Sequence, residues 1–195
     1  MHKRLGPLEG EPGRAVYADG AARIELAAET ITVRPPFGLA HARVYERVEL
    51  GPLFEALDGD HLVAALLVRL GGYAVGVLEG ERLVASKVGT RFVKGKHKKG
   101  GSSSNRFRRR RDEQARALIE AAAETAARVL EPWRDRVEHV ALGGDRAAVR
   151  QVLADPRLAW LEAKALPRFF TVPDPRLRDL ERLPYDLYAA ELTTT

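Results

Sequence analysis

Between Lys96 and Arg111 the chain reads KHKKGGSSSNRFRRRR. Extended back to Arg91, the segment holds ten lysines or arginines in 21 residues and no aspartate or glutamate. The rest of the 195-residue chain carries 22 basic against 27 acidic residues, so the net charge of +5 comes from this one segment. Positive charge gathered at one place, on an otherwise mildly acidic chain, suits a polyanion met at that place. The residues at its centre that could do chemistry are Gly100, Gly101, Ser102 and Ser103. Two glycines let the backbone approach a reacting group with no Cβ in the way. The following N–H groups can donate to developing negative charge, and a serine hydroxyl can hold a water. The flanks supply the anion-binding side chains: Lys94, Lys96, His97, Lys98 and Lys99 before the glycines, and Arg106, Arg108, Arg109, Arg110 and Arg111 after them. The stretch from Lys98 to Ser104 offers nothing apolar to bury, so it is expected to be mobile in the free protein.

Such a loop needs elements to hold it. After it, Ala115, Leu118, Ile119, Ala122, Ala126, Val129 and Leu130 recur at helical spacing, which predicts a long helix from about Asn105 to Leu130, stopped by Pro132. Ser104 or Asn105 is the expected cap. Arg108/Asp112, Arg109/Glu113, Arg116/Glu120 and Glu124/Arg128 stand at i,i+4 spacing along it. A basic, glycine-rich loop running into a helix N-terminus suits an anionic backbone, because free N–H groups and the helix dipole point the same way. Two plainer readings compete: a flexible linker carrying a localisation signal, and a solvated basic helix face. Ordered-looking sequence on both sides argues against a linker.

Before the loop, HLVAALLVRL, YAVGVLEG, ERLVASKVG and TRFVKG are four apolar runs separated by Gly-Gly, Glu-Gly and Gly-Thr, the pattern of an antiparallel meander. Beyond the helix, Val137 to Leu142 reads as a buried strand closed by Gly143-Gly144, with Asp145 capping a helix through Ala154. Phe169 to Val172 reads as a strand, Pro175 to Leu183 as a short helix, and Tyr185 to Leu192 as a further strand or terminal segment. Strands, then helix, strand, helix and strand give an α/β fold: a mixed sheet with helices packed on it. Residues 1–58 carry short β-like runs at Val16-Tyr17, Arg23–Leu26, Thr30–Arg34 and Arg43–Leu50, broken by Asp19-Gly20 and Pro35-Pro36. They are expected to form a small β-rich N-terminal segment, with residues 59–195 as the main domain.

Composition narrows the chemistry further. With no cysteine there is no disulfide, no thiolate zinc site and no Cys nucleophile. The five histidines (His2, His41, His61, His97 and His139) lie far apart without ligand spacing, so no metal and no cofactor is expected. A serine nucleophile among Ser102–Ser104 would need a His/Asp pair brought in by the fold. Trp133 and Trp160 read as core or interface residues. No apolar run reaches the roughly 18 residues of a membrane span, and the start MHKRLGPLEGEPG lacks a signal-peptide core, so a cytoplasmic protein with no membrane partner is expected.

The loop with its flanks resembles the catalytic-domain signature of archaeal and eukaryotic class-1 translation release factors. That signature is a basic, His-containing loop, then Gly-Gly-Gln-Ser, then Arg-Phe two residues on, with alternating arginines opening a helix. Lys96, His97, Lys99, Gly100, Gly101, Ser103, Arg106, Phe107, Arg109 and Arg111 match it without a gap. The resemblance spans roughly Asp60 to Leu192. With no counterpart of the codon-reading and GTPase-binding domains, the chain resembles the stand-alone, Vms-like branch of this superfamily. What departs is the glutamine: its position holds Ser102, and a Gly-Gly-Ser-Gln-Ser alignment would place it at Ser103.

The resemblance implies an RNase H-like mixed sheet and a peptidyl-tRNA hydrolase that frees nascent chains from stalled large ribosomal subunits in ribosome-associated quality control. Its implied partners are the peptidyl transferase centre of the large subunit, ribosomal RNA and peptidyl-tRNA, met by a monomer. Gly100, Gly101, Ser102 and Ser103 become the catalytic loop, and the flanking lysines, His97 and arginines the RNA-binding residues. The chemistry would be positioning: backbone donors for the oxyanion, with ribosomal RNA and the tRNA ribose supplying the rest. The missing glutamine keeps two other classes open, a ribosome- or tRNA-binding rescue factor that cuts nothing and a nuclease acting near the tRNA 3′ CCA end.

Overall fold

The computed structural model describes the backbone of residues 1–90 and 103–195, and the side chains of all of these except 103–108. Two compact units are present: Met1–Asp60 with Tyr185–Thr195, and His61–Pro184.

The first unit opens with the short helix α1 (His2–Leu5) and continues as strands β1 (Pro12–Ala18), β2 (Ala21–Glu25), β3 (Thr30–Arg34) and β4 (Arg43–Arg47), then helix α2 (Gly51–Asp58). Asp19-Gly20 makes the tight β1–β2 turn with both residues at positive φ, 52° and 70°, the twist that favours a two-residue hairpin. Alternation then decides which face is buried: Ala15 and Tyr17 of β1, Ala22 and Ile24 of β2, and Ile31 and Val33 of β3 form the core with Leu5, Leu50 and Leu53.

The second unit contains β5 (Leu62–Arg69), β6 (Gly72–Glu79), β7 (Arg82–Thr90), the long helix α3 (Ser103–Leu130), β8 (His139–Gly144), α4 (Arg146–Leu153), α5 (Ala159–Ala163), β9 (Ala165–Phe170) and α6 (Leu177–Leu187), which leads out of it. Its five-stranded sheet has the order β7-β6-β5-β8-β9. β5, β6 and β7 are antiparallel neighbours, while β8 and β9 run parallel to β5. The expected meander is therefore present, and the sheet is mixed. The near-continuous apolar runs of β5 and β6 fit their central places, buried from the first residue to the last but one. Leu118, Ala122, Ala126 and Leu130 lay the apolar stripe of α3 on Leu66, Val68, Val75 and Val77, with Val149 and Val152 of α4 in the same cluster. Trp133 and Trp160 pack against this core half-buried.

Several boundaries differ from the sequence expectation for identifiable reasons. The last strand, β10 (Glu191–Thr194), pairs with β3 in the first unit's sheet, order β10-β3-β2-β1-β4, although residues 59–195 were expected to form one domain. Gly89-Thr90 is not a turn. β7 continues through it, with Gly89 directly opposite Tyr73, and the rest of the expected fourth run lies outside the described residues. α3 begins at Ser103, so Ser104 and Asn105 lie within its first turn instead of capping it. Gly143-Gly144 belongs to β8. Gly144 sits at φ 98°, and a Cβ there would stand 2.8 Å from the Val68 carbonyl carbon, so only glycine lets the two strands pack this closely. Asp145 caps α4 as expected, accepting 2.9 Å from the Ala148 N–H.

Candidate functional site

The Gly-Gly-Ser segment lies between the end of β7 at Thr90 and the start of α3 at Ser103. Lys94, Lys96, His97, Lys98, Lys99, Gly100, Gly101 and Ser102 lie outside the described residues, as does the 98–102 part of the stretch expected to be mobile. Ser103, Arg106 and Arg108 are helical in backbone.

The two supports are unusual in how late they become part of the core. Among the described side chains of α3, from Arg109 onward, Leu118 is the first that is buried. At 1.5 Å per residue, Ser103 stands about 22 Å further along the helix axis than Leu118. The other support behaves alike: β7 becomes mostly exposed from Ser86 to Thr90, and Val88 is an exposed apolar residue within it. The segment is thus carried by a helix start that runs beyond the core and by a mostly exposed strand end.

The base of this stalk is pinned. Tyr73, the second residue of β6, crosses Gly89 of β7 and meets Thr125 of α3, Oη to Oγ1 at 2.9 Å, with both residues buried. Thr125 is the one buried polar residue of the described set, and this bond satisfies it. One residue earlier on α3, Glu124 reaches Arg157 at 2.9 Å and not the expected Arg128. Arg157 is also held by Asp155, whose carboxyl the guanidinium keeps below the usual range.

The electrostatics of the helix start favour anions. No acidic residue lies in the first turn of α3 to offset the N-terminal partial charge. Arg109 and Arg110 are exposed and Arg111 half-exposed. At 100° per residue, three consecutive arginines fan around the helix and do not line one face. Among the described residues, Arg109 faces an exposed Glu113 at 3.9 Å, an arrangement that leaves its charge available.

A second cluster escaped the sequence reading. His61 and His139, expected to lie far apart, are neighbours because β5 and β8 pair in parallel with Val63 opposite His139. Their rings stand 5.1 Å apart, edge to face at 70°. Glu138, just before β8, accepts from the Leu62 N–H and bonds His61 Nδ1, each at 3.0 Å. Burial opposes ionisation of Glu138, but the bonds from Leu62 and His61 outweigh it and lower its pKa. Burial, and then the charge of His61, lower that of His139. The adjacent pair Glu138-His139 was the only local signal; a sequence separation of 77 hid the partner.

The chain belongs with the release factors of translation. More narrowly, residues 61–193 match the Actinobacteria/chloroflexi VLRF1 release factor family, and the chain is a member of it. It is also 33% identical over 95 residues to the peptide chain release factor subunit 1 of Archaeoglobus fulgidus, covering 49% of this chain but only 23% of that protein. Among solved structures, it is similar to the archaeal translation termination factor aRF1 at a TM-score of 0.49 and 14% identity, over 82% of this chain and 49% of that one. The Vms1 mitochondrial localization core gives a TM-score of 0.49 at 10% identity, over 88% and 76% respectively. The described helices include none long and apolar enough to cross a membrane.

Proposed function

We propose that this protein is a peptidyl-tRNA hydrolase of ribosome-associated quality control, delivering Gly100–Ser103 into the peptidyl transferase centre of a stalled large subunit. The observation that carries the reading is the stalk. A helix whose start, at Ser103, stands about 22 Å beyond its first described buried residue is suited to a recess that the body of the protein cannot enter. The arginines that fan around the helix suit the same place. A flat polyanion would be met by one basic face, whereas a channel walled by ribosomal RNA presents phosphates on all sides.

In the proposed reaction, water attacks the carbonyl carbon of the ester joining the peptide to the 3′ adenosine. The acyl–oxygen bond breaks, the ribose oxygen takes a proton, and the peptide leaves as a carboxylic acid. Gly100 and Gly101 allow the N–H of Ser102 or Ser103 to reach the oxyanion, and a serine hydroxyl orients the water. A rescue factor that binds without cutting is the second reading, because serines stand where the release-factor signature has glutamine. Losing one aligned donor costs about 2.7–4 kcal/mol of transition-state stabilisation, which slows a hydrolase without changing its chemistry.

The test incubates the protein with stalled 50S–peptidyl-tRNA complexes and resolves the products. Free peptide with intact tRNA supports hydrolysis. Peptide bearing a short nucleotide tail indicates cleavage near the CCA end, and unchanged substrate with retained binding indicates the binder. Within the hydrolase reading, Gly101→Ala abolishes release and leaves binding intact. Ser102→Ala and Ser103→Ala each cost at most about tenfold, near 1.4 kcal/mol. Loss of all activity in a serine variant, with Gly101→Ala tolerated, would replace this mechanism by a serine nucleophile.

A further inference from the structure

We propose that His61, Glu138 and His139 form a binding site for a divalent cation of the zinc class, fastening the starts of β5 and β8. One donor atom from each residue lies within 4.8 Å of the other two. Around a tetrahedral zinc, with ligand bonds of about 2.0–2.2 Å, donors stand roughly 3.3–3.6 Å apart. His61 Nδ1 and Glu138 Oε2 are already 3.0 Å from one another, so only the His139 ring has to turn.

The site has the features of a constructed one. Glu138 is held in place by its other oxygen, Oε1, which accepts from the Leu62 N–H at 3.0 Å. Oε2 therefore stays aimed at His61 whether a proton or a cation lies between them. The backbone beneath is fixed by the parallel β5–β8 pairing and by the Glu138 N–H donating to the Leu62 carbonyl at 2.9 Å. The His61 side chain is 21% exposed and that of Glu138 50% exposed, so an ion can enter from solvent. Two imidazoles and one carboxylate suit zinc, cobalt or nickel and not magnesium or calcium, which prefer all-oxygen sites. With three protein ligands, a fourth position is left for water.

Topology gives the role. Thr90 pairs with Gly72, which follows the C-terminal end of β5, whereas His61 precedes its N-terminal end. The two places are a full strand apart, about 25 Å at 3.3 Å per residue, so the cation lies far from the end of β7 that leads into the Gly-Gly segment. It joins two strands far apart in sequence and stabilises the second unit by binding only its folded form.

The test is calorimetric titration of the full chain, first stripped with chelator, with Zn²⁺ at neutral pH, alongside Co²⁺ absorption spectra. One equivalent is expected to bind, with a cobalt spectrum of tetrahedral intensity and a higher melting temperature. His61→Ala and His139→Ala each should weaken binding at least about tenfold and remove the melting-temperature gain. To cover a variant that fails to fold, histidine ring ¹⁵N–¹H spectra of the unmodified chain are recorded with Zn²⁺. Shifts at His61 and His139 support the site. Absence of binding, shifts confined to His2, His41 or His97, or unchanged binding in both folded variants would overturn it.

Discussion

The contact most open to a quantitative test is the crossing of Tyr73 over Gly89. A Cβ built on Gly89 would stand 2.5 Å from Tyr73 Oη and 2.6 Å from Cε1, well inside van der Waals contact. The backbone at Gly89 is ordinary extended strand, so Gly89→Ala is a steric insult and not a conformational one. If the ring yields while keeping its place, the cost is that of overpacking, about 1–3 kcal/mol. The ring has little freedom, however, because Oη is bonded to Thr125 in a buried site. Displacing it leaves the Thr125 hydroxyl unsatisfied at a further cost of about 1–3 kcal/mol. The expected loss is therefore about 2–6 kcal/mol, a large share of the 5–15 kcal/mol typical of a domain. Urea unfolding followed by tryptophan fluorescence reads this loss in the right place, since both tryptophans, Trp133 and Trp160, belong to the second unit. In a Tyr73→Ala background, Gly89→Ala should cost under about 0.5 kcal/mol, because neighbours in contact do not add. A small cost in the parent chain, or an equal cost in both backgrounds, would refute the claim that glycine is there for the ring.

Two further outcomes are expected. Replacing Arg108, Arg109, Arg110 and Arg111 by Gln should weaken ribosome binding and flatten its salt dependence, since each neutralised phosphate releases counterions. Stability should change by no more than about 0.5 kcal/mol, and an unchanged salt slope would show that the contact surface lies elsewhere. In the first unit, burial pushes the Tyr17 hydroxyl from 10.0 up to about 12, while it donates 2.6 Å to the Glu49 carbonyl. The unfolded chain then loses this proton first. The contribution of Tyr17 is complete below pH 10 and is lost as the pH rises toward about 12. Phenolate absorbance should show a late-ionising component that disappears in Tyr17→Phe, and the variant's stability should fall less steeply over the same window.

What the sequence determined by itself was local in origin. Charge density needs no partner to be read, so the basic segment and its Gly-Gly-Ser centre stood out directly. The stripe of Leu118, Ala122, Ala126 and Leu130 named both the helix and the face it buries, because helical periodicity is written in one stretch of chain. Asp145 was legible as a cap for the same reason. Tertiary structure decided whatever depended on which strands lie side by side. Glycine at position 89 reads as a turn until Tyr73 is seen across the ladder, and Gly144 reads likewise until Val68 lies against it. β10 has the same composition whichever sheet receives it, and only pairing with β3 assigns it to the first unit. His61 and His139 are isolated in sequence and adjacent in space, because a parallel pairing joins residues separated by an entire crossover. The projection of the start of α3 is of this kind too. No periodicity tells how much of α3 the sheet will cover, since that length is set by the strands beneath it.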